Sequence, residues 1–125
     1  MYKITYSAYV SASLVNKLRA PRNVPVVKEW EIRITVGTDE LDENGGGKHF
    51  DSFLEEFRNE IAHMNNYYLN ALEYFEDKNP SLENIAKWIF DTAKEAVAKK
   101  GWDLKILNVY IKNDENYWVE YSENI

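Results

Sequence analysis

From Glu29 to Val36 apolar and polar side chains alternate without a break, with Trp30, Ile32, Ile34 and Val36 set against Glu29, Glu31, Arg33 and Thr35. A period of two sends successive side chains to opposite faces of a strand, so one face meets a core and the other meets water. That pattern belongs to an antiparallel sheet covered on one side. Residues 2–10 repeat it, with Ile4, Tyr6, Ala8 and Val10 on one face and Lys3, Thr5, Ser7 and Tyr9 on the other. Two half-buried strands cannot close a core by themselves, so a second layer has to come from elsewhere in the chain. Between them, residues 11–25 hold Pro21, Pro25, Asn16 and Asn23 and read as an irregular excursion.

The second layer is legible downstream. Phe50, Phe53, Leu54, Phe57, Ile61 and Met64 fall three and four apart, with Glu55, Glu56, Arg58 and Glu60 off that stripe, which predicts an amphipathic helix. His63 lies beside Ile61 and Met64 and is expected to be a partly buried packing residue. A second helix opens at Asn79-Pro80-Ser81, where Asn79 or Ser81 can cap. It buries Leu82, Ile85, Ala86, Ile89, Ala93, Ala96 and Val97, offers Glu83/Lys87 and Glu95/Lys99 as pairs one turn apart, and stops at Gly101. The intervening segment 65–78 carries Tyr67, Tyr68, Leu69, Tyr74 and Phe75, so it is expected to fold against the body. Residues 104–112 and 117–122 read as two further strands joined by a turn at 113–116. The order strand, strand, helix, helix, strand, strand (ββααββ) predicts one α+β domain over 1–125, a four-stranded antiparallel sheet with both helices on one face. Such a sheet leaves two edges, and pairing between subunits protects them, so a homo-oligomer is expected.

Composition narrows the chemistry. The chain has no cysteine and only two histidines, His49 and His63. Thiolate nucleophiles, disulfides, iron–sulfur clusters and zinc sites built from three or more His/Cys ligands are therefore out of reach. Lys+Arg total 15 against 21 Asp+Glu, a balance of −6, and the nearest thing to a basic patch is the sparse set Lys17, Arg19 and Arg22. Nucleic acid is not an expected partner. No stretch reaches a membrane span's length or reads as a secretion signal, so no membrane is involved and a cytoplasmic setting is expected. The run Gly45-Gly46-Gly47-Lys48-His49 lacks the spacing of a phosphate-binding loop and is expected to be a flexible loop rather than an anion site.

Several strings, in this order, resemble the 6-pyruvoyltetrahydropterin synthase and 6-carboxytetrahydropterin synthase family. The most specific is Asn79-Pro80-Ser81-Leu82-Glu83-Asn84-Ile85-Ala86-Lys87-Trp88-Ile89, similar to the family's Asn-Pro-Thr-x-Glu-Asn-Leu-Ala-x-Trp-Ile. Tyr68-Leu69-Asn70 matches the end of its Leu-Asp-His-x-Tyr/Phe-Leu-Asn, and Val10-Ser11-Ala12-Ser13 looks like its Phe-Ser-Ala-Ser/Ala-His. The run 45–50 stands in the place of Gly-Met-Val-x-Asp-Phe, and 113–121 has the length of Glu-Thr-Pro-x-x-x-Ala-x-Tyr. The resemblance spans nearly the whole chain and implies the tunnelling fold (T-fold), with trimers, often stacked as hexamers, whose strands form a continuous barrel.

The reactive positions depart from the pattern. The family is a zinc-dependent carbon–oxygen lyase, holding its metal through one His after the first strand and a His-Gly-His opening the second. The matching residues are Leu14, Val26 and Lys28. Leu and Val have no donor atom, and a Lys ammonium is a poor ligand. The family's catalytic Cys corresponds to Arg22, its Asp-His pair to Asn65 and Asn66, and the Glu that grips the pterin ring to Asn113. Neither Asn moves a proton near neutral pH, and an amide cannot supply a carboxylate's charge-assisted bidentate anchor. The resemblance thus implies a relative without cofactor or lyase activity, either binding a pterin-like small molecule between subunits or serving as a structural subunit. Two alternatives stand beside it. One is re-purposed chemistry on an anionic substrate, in which Arg22, Lys28 and His49 converge and His49 is the acid/base. The other is an active synthase converting dihydroneopterin triphosphate.

Overall fold

The computed structural model describes residues 1–15, 24–113 and 116–123. Its main elements are β1 (Tyr2–Leu14), β2 (Val26–Thr38), α1 (Phe50–Met64), α2 (Leu82–Lys100), β3 (Lys105–Lys112) and β4 (Trp118–Tyr121). The strands form one sheet in the order β1-β2-β3-β4 with every neighbouring pair antiparallel. The alternation read from the sequence decides which face is covered. Val10, Trp30, Ile32, Ile34, Val36, Val109 and Ile111 are buried in one cluster with Phe53, Phe57, Ile85, Ile89 and Phe90 from the helices. Both helices therefore lie on the same side, and this is the expected ββααββ layout. Among the described residues, no helix is long and apolar enough to cross a membrane.

Four local features sharpen or correct the sequence reading. β1 runs on to Leu14 rather than ending near Val10, because Ser11 to Leu14 pair in register with Glu29 to Val26. His63 is exposed, not partly buried: the α1 stripe that meets the sheet is Phe53, Phe57, Ile61 and Met64, and His63 lies off it. On α2, Lys87 bonds Asp91 at 2.7 Å rather than Glu83, whose carboxylate instead accepts from the Tyr117 hydroxyl at 3.1 Å. Phe90, absent from the predicted stripe, is 2% exposed and meets Tyr121 edge-on, because β4 extends the covered face of the sheet over that side of the helix.

The ends of the helices follow their sequence signals. Ser81 Oγ accepts from the Asn84 N–H at 3.2 Å, and Gly101 closes α2 in the left-handed conformation. The glycine run before α1 is a built turn. Asp42 Oδ1 accepts from the amides of Asn44 and Gly46, both at 2.9 Å, so amides that an anion would need are already held by the protein's own carboxylate. Gly47 packs closely on β1, since a Cβ there would stand 2.7 Å from Ile4 Cδ1 and would require that side chain to shift. The segment 65–78 is folded against the body through two short turns, Leu69–Ala71 and Glu73–Phe75, whose Leu69 and Phe75 are fully buried.

Candidate functional site

The positions that the family resemblance singles out gather at one end of the sheet, where β1 finishes and β2 starts. Leu14 lies directly across the ladder from Val26, and Lys28 lies across from Ala12, two residues further along. Cross-strand partners share a face, and the strand period of two returns Lys28 to the face of Val26. Leu14, Val26 and Lys28 therefore project together toward the helix side. Leu14 is buried, Lys28 is half-buried and Val26, at the strand's start, is 42% exposed. As a donor set they do not fit zinc: two are hydrocarbon and the third is an ammonium. Among the described residues no group of three or more His, Cys, Asp or Glu side chains is placed to hold a metal ion.

Asn65 and Asn66 arrive at the same end from the C-terminus of α1, where the Asn65 side chain and the Asn66 backbone bond the backbone of β1. Asn65 Oδ1 accepts from the Ser11 N–H at 2.9 Å, and the Asn66 N–H donates to the Ser11 carbonyl. Asn66 has a positive φ of 63°, a conformation that Asn tolerates better than most residues. Downstream, the Ser13 N–H donates to the Tyr67 carbonyl at 2.9 Å. Asn70 then behaves as a piece of strand: its Oδ1 accepts from the Val15 N–H at 2.7 Å, and its Nδ2 donates to the Val15 carbonyl at 3.1 Å. Residues 65–70 thus cover the outer edge of β1 at its C-terminal end, where an open edge would invite foreign strands. Asn70 is a working residue that the sequence reading quoted only as part of a motif. No local pattern marks it, because its partner, Val15, is distant in sequence.

Asn113 ends β3 at the same end of the sheet. Its side-chain oxygen accepts from the Tyr117 N–H at 3.2 Å, while its own N–H donates to the Tyr117 carbonyl at 2.9 Å, so it closes the turn into β4. Around it, on the side away from the helices, Tyr9, Glu29, Lys112 and Asn116 line an open groove of about 300 Å³. Glu31 stands at its inner margin, bonded to Arg33 at 2.6 Å and to the Ser7 hydroxyl at 3.1 Å. The guanidinium bond holds the Glu31 carboxyl below its ordinary range, so Glu31 is a fixed anion rather than a proton carrier. The sequence showed these groups only as the wet faces of alternating strands.

His49 is elsewhere. It is the N-cap of α1, with φ 65° and no side-chain capping bond. α1 is 15 residues long, about 22 Å, and its other end carries Asn65. Within one chain Lys28 and His49 therefore stand at opposite ends of the subunit, and the expected convergence with Arg22 is not made there. Arg22 itself lies outside the described residues.

Comparison with known proteins gives the geometry its context. The sequence pattern of the family described as 6-pyruvoyl tetrahydropterin synthase matches residues 28–124. No curated protein matches by sequence. Among solved structures, the Caenorhabditis elegans 6-pyruvoyl tetrahydropterin synthase is similar at 14% identity with a TM-score of 0.77, over 98% of this chain and 96% of that one. An uncharacterized protein of Wolinella succinogenes is similar at 10% identity and TM-score 0.74, over 98% of each chain. A catalytic-residue mutant of the Plasmodium vivax 6-pyruvoyltetrahydropterin synthase is similar at 11% identity and TM-score 0.70, over 99% of this chain and 98% of that one. At these identities the likeness is one of fold.

Proposed function

The chain belongs to the 6-pyruvoyl tetrahydropterin synthase family, and from that premise we propose that it is a member that keeps the subunit fold but has given up zinc binding and pterin-lyase chemistry. One observation carries this reading: at the positions that the resemblance aligns with the family's three histidines, the end of the β1–β2 ladder sets Leu14 against Val26, with Lys28 next on the same face. Asn65 and Asn113, which the resemblance aligns with a proton-transfer and the ring-gripping position of the family, spend their side-chain oxygens on backbone amides, which supports a structural use of that end of the sheet. A place for a ligand is the open groove beside Asn113, where Glu29, Glu31 and Lys112 give charges of both signs beside Tyr9, suited to a small pterin-like or similarly polar molecule. Re-purposed catalysis by Arg22, Lys28 and His49 gains no support from the single chain.

The direct test is turnover. Purified protein incubated with dihydroneopterin triphosphate and added zinc is expected to release no pterin product above the no-protein blank. Product formation that scales with protein concentration would overturn the proposal.

The same reading includes a homo-oligomer, a trimer or a hexamer. Residues 2–10 of β1 have no strand on their outer edge among the described residues, and β4 leaves the opposite edge of the sheet equally open. Light scattering on the eluting peak is expected to give three or six times the 14.7 kDa chain mass. A peak at the mass of a single chain would remove this part of the proposal.

A further inference from the structure

The groove beside Asn113 lies where strands of unequal length leave a gap. The β1–β2 ladder continues to the Leu14–Val26 pair. Among the described residues the β2–β3 ladder ends at Glu31–Lys112, and beyond it β2 keeps a strand on its β1 side only. Glu29, across from Ser11, borders the space that this leaves. Tyr9 stands on the β1 side, 80% exposed, and Lys112 on the β3 side, both as ladder partners of Glu31. Cross-strand partners share a face, so Tyr9, Glu29, Glu31 and Lys112 all point away from the helices.

The charges in the groove are only partly spent. The Glu31 carboxylate is taken by Arg33 and by the Ser7 hydroxyl. Glu29 and Lys112 form no ion pair among the described residues. They are diagonal neighbours across the β2–β3 ladder, about 7–8 Å apart. A lone cation drawn to Glu29 meets the Lys112 ammonium, and a lone anion drawn to Lys112 meets Glu29 and Glu31. A molecule that carries both charges at that spacing complements both.

With this groove taken as the ligand site of the proposed function, we propose that it binds a small zwitterion, its cationic end between the Glu29 carboxylate and the Tyr9 ring and its anionic end at the Lys112 ammonium. The exposed Tyr9 ring suits an alkylammonium or guanidinium group, which the negative face of an aromatic ring attracts. Spacing then selects among zwitterions. The ligand holds its charges about 7–8 Å apart on a chain or ring of several atoms, farther than the ammonium and carboxylate of glycine can stand.

The test is an NMR titration of the full chain with ε-aminocaproate, whose two charges stand about that far apart when its chain is extended. Hexylamine and hexanoate, which each lack one charge, and glycine, whose charges are too close, are titrated beside it. The expected result is saturable amide shifts at Tyr9, Glu29 and Lys112 from ε-aminocaproate, with each of the other three weaker by about fivefold or more, the upper worth of one exposed ion pair. Glu29→Gln and Lys112→Gln, both outside the core, are each expected to weaken ε-aminocaproate by about the same factor. Lys3→Gln, on the same face at the other end of β1, is expected to leave its affinity unchanged. Equal binding of hexylamine or hexanoate, shifts centred elsewhere, or unchanged affinity in both Glu29→Gln and Lys112→Gln would overturn the proposal. Saturable shifts at these residues from neopterin, an uncharged pterin, with none from ε-aminocaproate, would overturn the zwitterion and leave the groove a ligand site. No saturable shift there from any of these molecules would overturn both.

Discussion

The variant Leu14→His/Val26→His/Lys28→His is expected to bind zinc with micromolar or tighter affinity, where the native chain shows no saturable binding. The register makes the expectation specific. Positions 14 and 26 are ladder partners, with Cβ atoms about 4.5–5.5 Å apart, and position 28 is about 6.6 Å further along the same face. Three imidazoles reaching inward from those points can bring nitrogens to about 2.0–2.1 Å from one ion. Without metal the variant is expected to melt earlier, since Leu14 is buried and a polar ring there costs about 1–3 kcal/mol if it finds no partner. Zinc at a hundred times its dissociation constant then restores about 2.7 kcal/mol. Ligation needs neutral imidazole, so the zinc-dependent rise in melting temperature is expected to fade as pH drops through about 6.5. A folded variant whose melting temperature ignores zinc would mean that the three positions do not converge.

Phe75→Ala is expected to cost about 3–5 kcal/mol, a large share of the roughly 5–15 kcal/mol that holds a domain together. Phe75 is fully buried in the linking segment, with ring centroids 5.0 Å from Tyr74 and 6.1 Å from Trp88. Removing the ring empties a site between that segment and α2 that rigid neighbours cannot close. It also frees the segment whose Asn65 and Asn70 cover the edge of β1. A chain of this size should then melt about 10–20 °C lower. Tyr67→Ala, in the same segment but 42% exposed, is expected to change little. A similar small shift for both variants would show that the segment is not anchored as described.

These two residues also mark how far the sequence could be read. Periodicity identified the sheet face through Trp30, Ile32, Ile34 and Val36 and the helix stripe through Phe53, Phe57 and Ile61, because burial on one side imposes a repeat of two or about 3.6. Ser81 and Gly101 marked the ends of α2 because their side chains, or the lack of one, satisfy helix-end chemistry. Residues 65–78 have no repeat to read. Their order comes from tertiary partners, Ser11, Val15 and Trp88, that no local pattern announces. Phe90 was missed for the same reason, since only β4's position makes its side of α2 an inside. At the site, the missing donors were legible from composition, while the use of Asn65 and Asn113 as backbone partners needed the fold. The distance between Lys28 and His49 also could not be seen, because the sequence puts one at the start of β2 and the other at the start of α1 without saying which way the helix lies along the sheet.

The end of the β1–β2 ladder is expected to hold no metal. That expectation is tested most directly by elemental analysis of the native protein, purified without chelator, equilibrated with excess zinc and then desalted. Leu14, Val26 and Lys28 predict zinc far below one ion per chain. Near-stoichiometric zinc that survives desalting would contradict the account.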